Sequence, residues 1–230
     1  MKIKLQLFFC LCLLINNAFS QTKDSLQSYS LHKETAPIPI ELFAGNKAFA
    51  FQLIASKQFS PKSKFGFFNV TNFTGDYHTT NQATDFFSQS VITAEVLKGI
   101  SLTAGLSAIG SSNTPTTVRP TAGLQYLFAN KDFVVVILPR FDLTQTYNFE
   151  TFAVFEYKPT ITKTWGVYTR AQGLYNYNTQ LGYHEISSIN VRLGLSYKNI
   201  QFGIGTNLDF YGTGYNSNKN FGTFIKTDLF

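Results

Sequence analysis

The stretch "YHEISS" sets His184 three residues before Ser187, with Glu185 and Ser188 beside them. An imidazole, a hydroxyl and a carboxylate within reach of one another are the parts of an activated nucleophile. Here they fall in a polar segment between two alternating runs, which reads as an outer loop with a hydrated histidine. His78, in "GDYHTTN", has the same setting, and His32 lies in a polar lead-in. The two cysteines, Cys10 and Cys12, sit in an apolar N-terminal run, and no metal-ligand spacing occurs elsewhere. "FGIG" has no helix after it, so it is not a phosphate loop; its glycines relieve crowding on a strand face. Neither catalysis, a cofactor nor a metal is expected.

A second set of chemically active residues recurs at alternate positions. It comprises Glu95, Arg119, Arg140, Asp142, Glu150, Glu156, Lys158, Arg170, Arg192 and Asp209, all on the polar face of alternating segments. A hairpin centred near Asn148 pairs residues whose numbers sum to 296, which sets Arg140 opposite Glu156. Arg170 and Arg192 follow on the next two segments at similar depth. Arg140, Asp142, Glu156, Arg170, Arg192 and Asp209 therefore form a candidate charged belt inside a barrel. Such a belt either neutralises itself and fills the interior, or forms a constriction that screens small solutes by size and charge.

The elements that position these charges are strands. "SINVRLGLSYK" puts Ile189, Val191, Leu193, Leu195 and Tyr197 on one side and Asn190, Arg192, Gly194, Ser196 and Lys198 on the other. "IQFGIGTNLDFY" repeats the pattern after a tight turn at Lys198-Asn199. The same reading predicts twelve strands, at 38–45, 48–59, 64–77, 86–97, 100–111, 119–129, 133–146, 149–159, 164–177, 187–198, 200–212 and 221–230. Most are near the 9 to 11 residues that a tilted strand needs to cross a bilayer. Short joints at 60–63, 98–99, 130–132, 160–163 and 198–199 alternate with longer ones at 78–85, 112–118, 178–186 and 213–220. Links near 46–47 and 147–148 are short exceptions. An even strand count with unequal rims describes a transmembrane antiparallel up-and-down β-barrel. A soluble sandwich also alternates, but it packs its apolar faces into one core of limited area.

The ends and composition fit that class. "MKIK", an apolar run of eleven, and "NNAFS" have the layout of a secretory signal peptide over residues 1–20, cleaved before Gln21. Residues 21–37 read as a flexible periplasmic lead-in and 38–230 as the barrel. After cleavage both cysteines are gone, and 17 basic residues stand against 13 acidic ones, a net charge of +4. That excess is spread out, with no basic run, so nucleic acid is excluded as a partner. Aromatics are 16% and charged residues only 14%, against about 25% charged in soluble domains. The final "FGTFIKTDLF" puts Ile225, Thr227 and Leu229 on one side and Lys226 and Asp228 on the other.

Over residues 38–230 the chain resembles the small outer-membrane β-barrel proteins of Gram-negative bacteria. Its Gln-led start after cleavage and its many Asn, Lys, Phe and Tyr residues look like the Bacteroidota members. The resemblance implies outer-membrane lipids and the barrel-insertion machinery as partners, with Phe230 as the C-terminal aromatic insertion signal. The class pattern carries further apolar residues on that aromatic's face, where this chain has Asp228 and Lys226. The expected function is a narrow passive channel for small polar solutes. A structural or surface-interaction barrel with Tyr- and Asn-rich outer loops is the alternative. A lipid-modifying outer-membrane hydrolase, which in that class presents Ser and His on a lipid-facing strand, comes third.

Overall fold

A computed structural model describes residues 38–77, 85–111 and 114–229. The expected signal peptide and lead-in, His32, His78 and Phe230 lie outside the described residues. Within them the chain forms β1 (Ile38–Gly45), β2 (Ala48–Gln58), β3 (Phe65–Asp76), β4 (Asp85–Leu97), β5 (Ile100–Ser111), β6 (Thr114–Ala129), β7 (Phe133–Asp142), β8 (Phe149–Tyr157), β9 (Trp165–Asn178), β10 (Tyr183–Tyr197), β11 (Ile200–Tyr211) and β12 (Asn216–Leu229). Each strand pairs with its sequence neighbours, and β1 closes on β12, with Ile38 facing Leu229 and Gly45 facing Gly222. The fold is an all-β, closed, antiparallel up-and-down barrel of twelve strands, as the alternation predicts.

Four strand ends differ from expectation by four residues or more, and the others lie within two. β6, β10 and β12 begin earlier, because pairing continues through segments polar on both faces; Tyr183 faces Asn178 and Asn216 faces Tyr211. Hydrophobic alternation is blind to a strand that has left the apolar layer. β7 instead ends early, at Asp142, and residues 143–148 form a link in which Gln145 and Tyr147 adopt positive φ (62° and 48°). The expected contrast between short-turn and long-loop rims is accordingly not present. Links of two to eight residues occur on the rim opposite the chain ends, and links of two to seven on the rim that carries them.

The outward face is apolar. Leu42, Ile92, Leu102, Leu124, Leu193, Ile204 and Ile225 are each 47–64% exposed. Aromatic side chains flank this band toward both rims: Phe65, Phe128, Trp165 and Phe202 near the chain ends, and Phe49, Phe141, Tyr175 and Phe221 on the opposite side. Trp165 and Tyr175 lie ten residues apart on β9. At ~3.3 Å per residue and ~45° tilt, their separation along the barrel axis is about 23 Å, close to the ~25 Å apolar band of outer-membrane barrels.

The inward face is less polar than expected. Phe43, Phe68, Val70, Val91, Val136, Leu138, Phe152, Val154, Tyr168 and Phe224 all point inward and are buried. They have the strand parity of the charges, so alternation assigns their face but not what meets them across the bore.

Candidate functional site

At mid-depth the lumen is bridged by a clasp built on Glu41. Ile40 and Leu42 point outward and leave Glu41, 5% exposed, facing in. Arg170 on β9 and Arg192 on β10 are directly opposite one another in register. Two like charges so placed repel. The single carboxylate joins them: Arg170 donates from Nη1 to Oε2 at 3.0 Å, and Arg192 from Nε to Oε1 at 2.8 Å. Arg170 also donates to Gln52 and Gln172. Arg192 donates to the carbonyls of Val191 and Thr206 and lies 4.2 Å from the Phe43 ring centroid. A Cβ on Gly205 would fall 2.7 Å from Arg192 Cδ, so glycine there leaves room for the arginine stem. β2 and β9 are five places apart round the ring, and Arg170 with Gln52 spans that gap.

The other side of the bore is filled by apolar packing. Phe68 and Val70 from β3 and Val91 from β4 cluster with Val136 and Leu138 from β7 and Phe152 and Val154 from β8. The intervening strands carry short inward residues, among them Thr103, Gly105, Thr121 and Gly123, which let β4 and β7 side chains meet. Phe152 of this cluster and Arg170 of the clasp line the floor of the same cavity. Clasp and cluster thus meet at one level.

The sequence-predicted belt residues all face inward, but they belong to separate networks. Arg140 pairs with Glu150, not Glu156, because the six-residue link 143–148 shifts the β7–β8 register from the one expected. Arg140 donates to Glu150 Oε1 from Nε and Nη2 at 3.0 and 2.7 Å, and to Asp142. Asp142 also holds Arg119 at 3.2 Å. Glu156 faces Arg170 in register, yet its carboxylate takes Lys226 at 2.8 Å, Lys158 at 3.1 Å and the Tyr168 hydroxyl at 3.0 Å. Asp209 stands apart, lining the cavity above the clasp. Sequence reasoning missed Glu41 and the partner role of Lys226. Alternation in "IPIELF" does mark Glu41 as inward, but Phe43 two residues on hides the polar face.

That cavity, about 170 Å³, extends from the clasp toward the rim opposite the chain ends. Seven carboxamides line it, Gln52, Asn72, Gln172 and Asn207 among them. Gln52 donates to Asn72 at 2.6 Å.

The histidine cluster lies on a strand rather than in the expected loop, because β10 starts at Tyr183. His184 contacts Ser187 Oγ at 2.8 Å through Nε2 and the Gly212 carbonyl at 2.9 Å through Nδ1, and stacks on Tyr215 at 4.4 Å. These contacts tie the turn at 212–215 to β10. Glu185 does not join them; it accepts from Asn148 at 2.6 Å and Asn178 at 2.8 Å.

No family model matches the chain, and no curated protein matches it. Among solved structures it is similar to the KdgM porin, at 14% identity and a TM-score of 0.45 over 85% of this chain and 100% of that one. The NanC porin aligns at 12% identity and a TM-score of 0.43, over 84% of this chain and 98% of that one. The outer membrane protein opdK from Pseudomonas aeruginosa aligns at 10% identity and a TM-score of 0.38, over 77% and 67% of the two chains. At TM-scores below 0.5 these likenesses carry no argument about what the chain does.

Proposed function

We propose that this protein is an outer-membrane β-barrel whose bore is shut at mid-depth and whose outward vestibule admits small polar solutes without passing them. The membrane assignment rests on the closed, edgeless sheet, its apolar outer band and the flanking aromatics, since a bilayer accepts strands only when every backbone group is paired. An N-terminal export signal and insertion guided by Phe230 belong to the same reading. The chain ends then lie in the periplasm, and the vestibule opens outward.

The observation that carries the closed bore is the Glu41–Arg170–Arg192 clasp packed at one level with the Phe68–Phe152 cluster. A solute crossing that level would have to part three buried ions or displace fully packed side chains. In planar bilayers the purified barrel is expected to give no steady conductance steps. Regular steps in the wild type would overturn the closed bore and support a narrow passive channel instead. One feature favours that second reading: polar side chains line the vestibule from the outer rim down to Glu41, and side chains alone bar the way beyond it.

A further inference from the structure

We propose that the vestibule binds the ammonium group of a small primary amine, with Asp209 as its charge partner. This deepens the outward-vestibule reading above and rests on it.

The outer end of the cavity presents acceptors. Asp209 has no hydrogen bond or ion pair among the described residues, and Asp85 is close enough for their charges to repel. Asp85 reaches this position from β4, five places round the ring from β11, and lines the cavity beside Tyr211. Asn207, two residues before Asp209 on the same face, is 9% exposed, and its Oδ1 has no donor. A buried acceptor without a donor is costly unless a ligand or water supplies one. Glu41 is committed to both arginines at the inner end of the cavity, and Asp85 and Asp209 line its outer end. The excess negative charge therefore lies at the outer end.

An ammonium group matches this arrangement. It is a compact point charge with three N–H donors, and the cavity offers two carboxylates and one amide oxygen. A narrow chamber with low-dielectric walls focuses the field of those carboxylates on an entering cation. Calcium needs six to eight oxygen ligands, more than these three groups provide. The volume is that of roughly six water molecules at ~30 Å³ each, which limits the solute to a handful of heavy atoms.

The test is calorimetric titration of the folded barrel in detergent micelles with ethanolamine hydrochloride. Ethylene glycol, choline chloride and calcium chloride serve as comparison titrants. Saturable binding of ethanolamine is expected, at least tenfold tighter than ethylene glycol, which lacks the charge, and than choline, which lacks N–H donors. Asp209→Asn and Asn207→Leu should each weaken it at least tenfold while heat-modifiable gel migration, the mark of a folded barrel, stays unchanged. Equal binding of choline, tighter binding of calcium, no saturable binding, or full affinity in Asp209→Asn would each overturn the proposal. Conductance is read separately, so an open bore with ethanolamine bound refutes only the closure.

Discussion

Replacing Glu41 with Gln tests whether water reaches the middle of the bore. The substitution keeps the shape of the side chain but removes the charge shared by Arg170 and Arg192, whose side chains are 5% and 4% exposed. The new amide nitrogen is a donor facing donors. Arg170 retains Gln52 and Gln172, and Arg192 retains two backbone carbonyls, so neither guanidinium keeps a carboxylate in the clasp. Removing one partner of a dry, buried ion pair costs about 3–5 kcal/mol, whereas a hydrated pair contributes roughly 0–1 kcal/mol. The closed bore thus predicts a loss of at least ~3 kcal/mol, more than a hundredfold in the folding equilibrium. Reversible urea unfolding in phospholipid vesicles measures it, followed by the fluorescence of Trp165, the chain's single tryptophan, which lies on the outer surface. Adding Arg192→Met to Glu41→Gln should recover part of the loss, since it removes one of the stranded charges. A Glu41→Gln barrel within ~1 kcal/mol of wild type, with no recovery in the double variant, would mean that the clasp is wet and the bore open.

The same geometry sets the outcome of five further substitutions. Val191→Arg places a charge in the apolar band and should cost about 2–4 kcal/mol in vesicle refolding. Its neighbour Arg192 is held inside by the clasp, so Arg192→Ala should also destabilise, by about 1.5–3 kcal/mol for the lost charged hydrogen bonds, rather than being tolerated as a water-facing residue would be. Gly194→Ala would bring a Cβ to 2.0 Å from the Phe202 carbonyl oxygen across β10 and β11. It should destabilise the barrel by about 1–3 kcal/mol, as overpacked sites do, and so lower the urea midpoint. Glu156→Gln leaves the buried Lys226 with Asp228 alone, at 3.8 Å, and should destabilise, whereas Lys131→Ala, at a side chain 87% exposed, should leave the midpoint unchanged.

Strand number, strand order and the outward-facing side follow from local patterning, and the sequence alone determined them. Period-two alternation is set within each strand, and the bounds of β1 and β5 follow it to the residue. Backbone pairing beyond the apolar layer left no hydrophobic trace, so the early starts of β6, β10 and β12 appear only in the fold. The β7–β8 register was decided by the backbone of residues 143–148, which exchanged Glu156 for Glu150 as the partner of Arg140. Glu41 meets Arg170 and Arg192 across 129 and 151 residues, contacts that exist only once β1 has closed on β12. The filled bore is likewise tertiary. Alternation says that Phe68, Leu138 and Phe152 point inward, but whether an inward side chain meets water or the opposite wall depends on how closely the strands approach across the ring, and that distance is a property of the closed barrel alone.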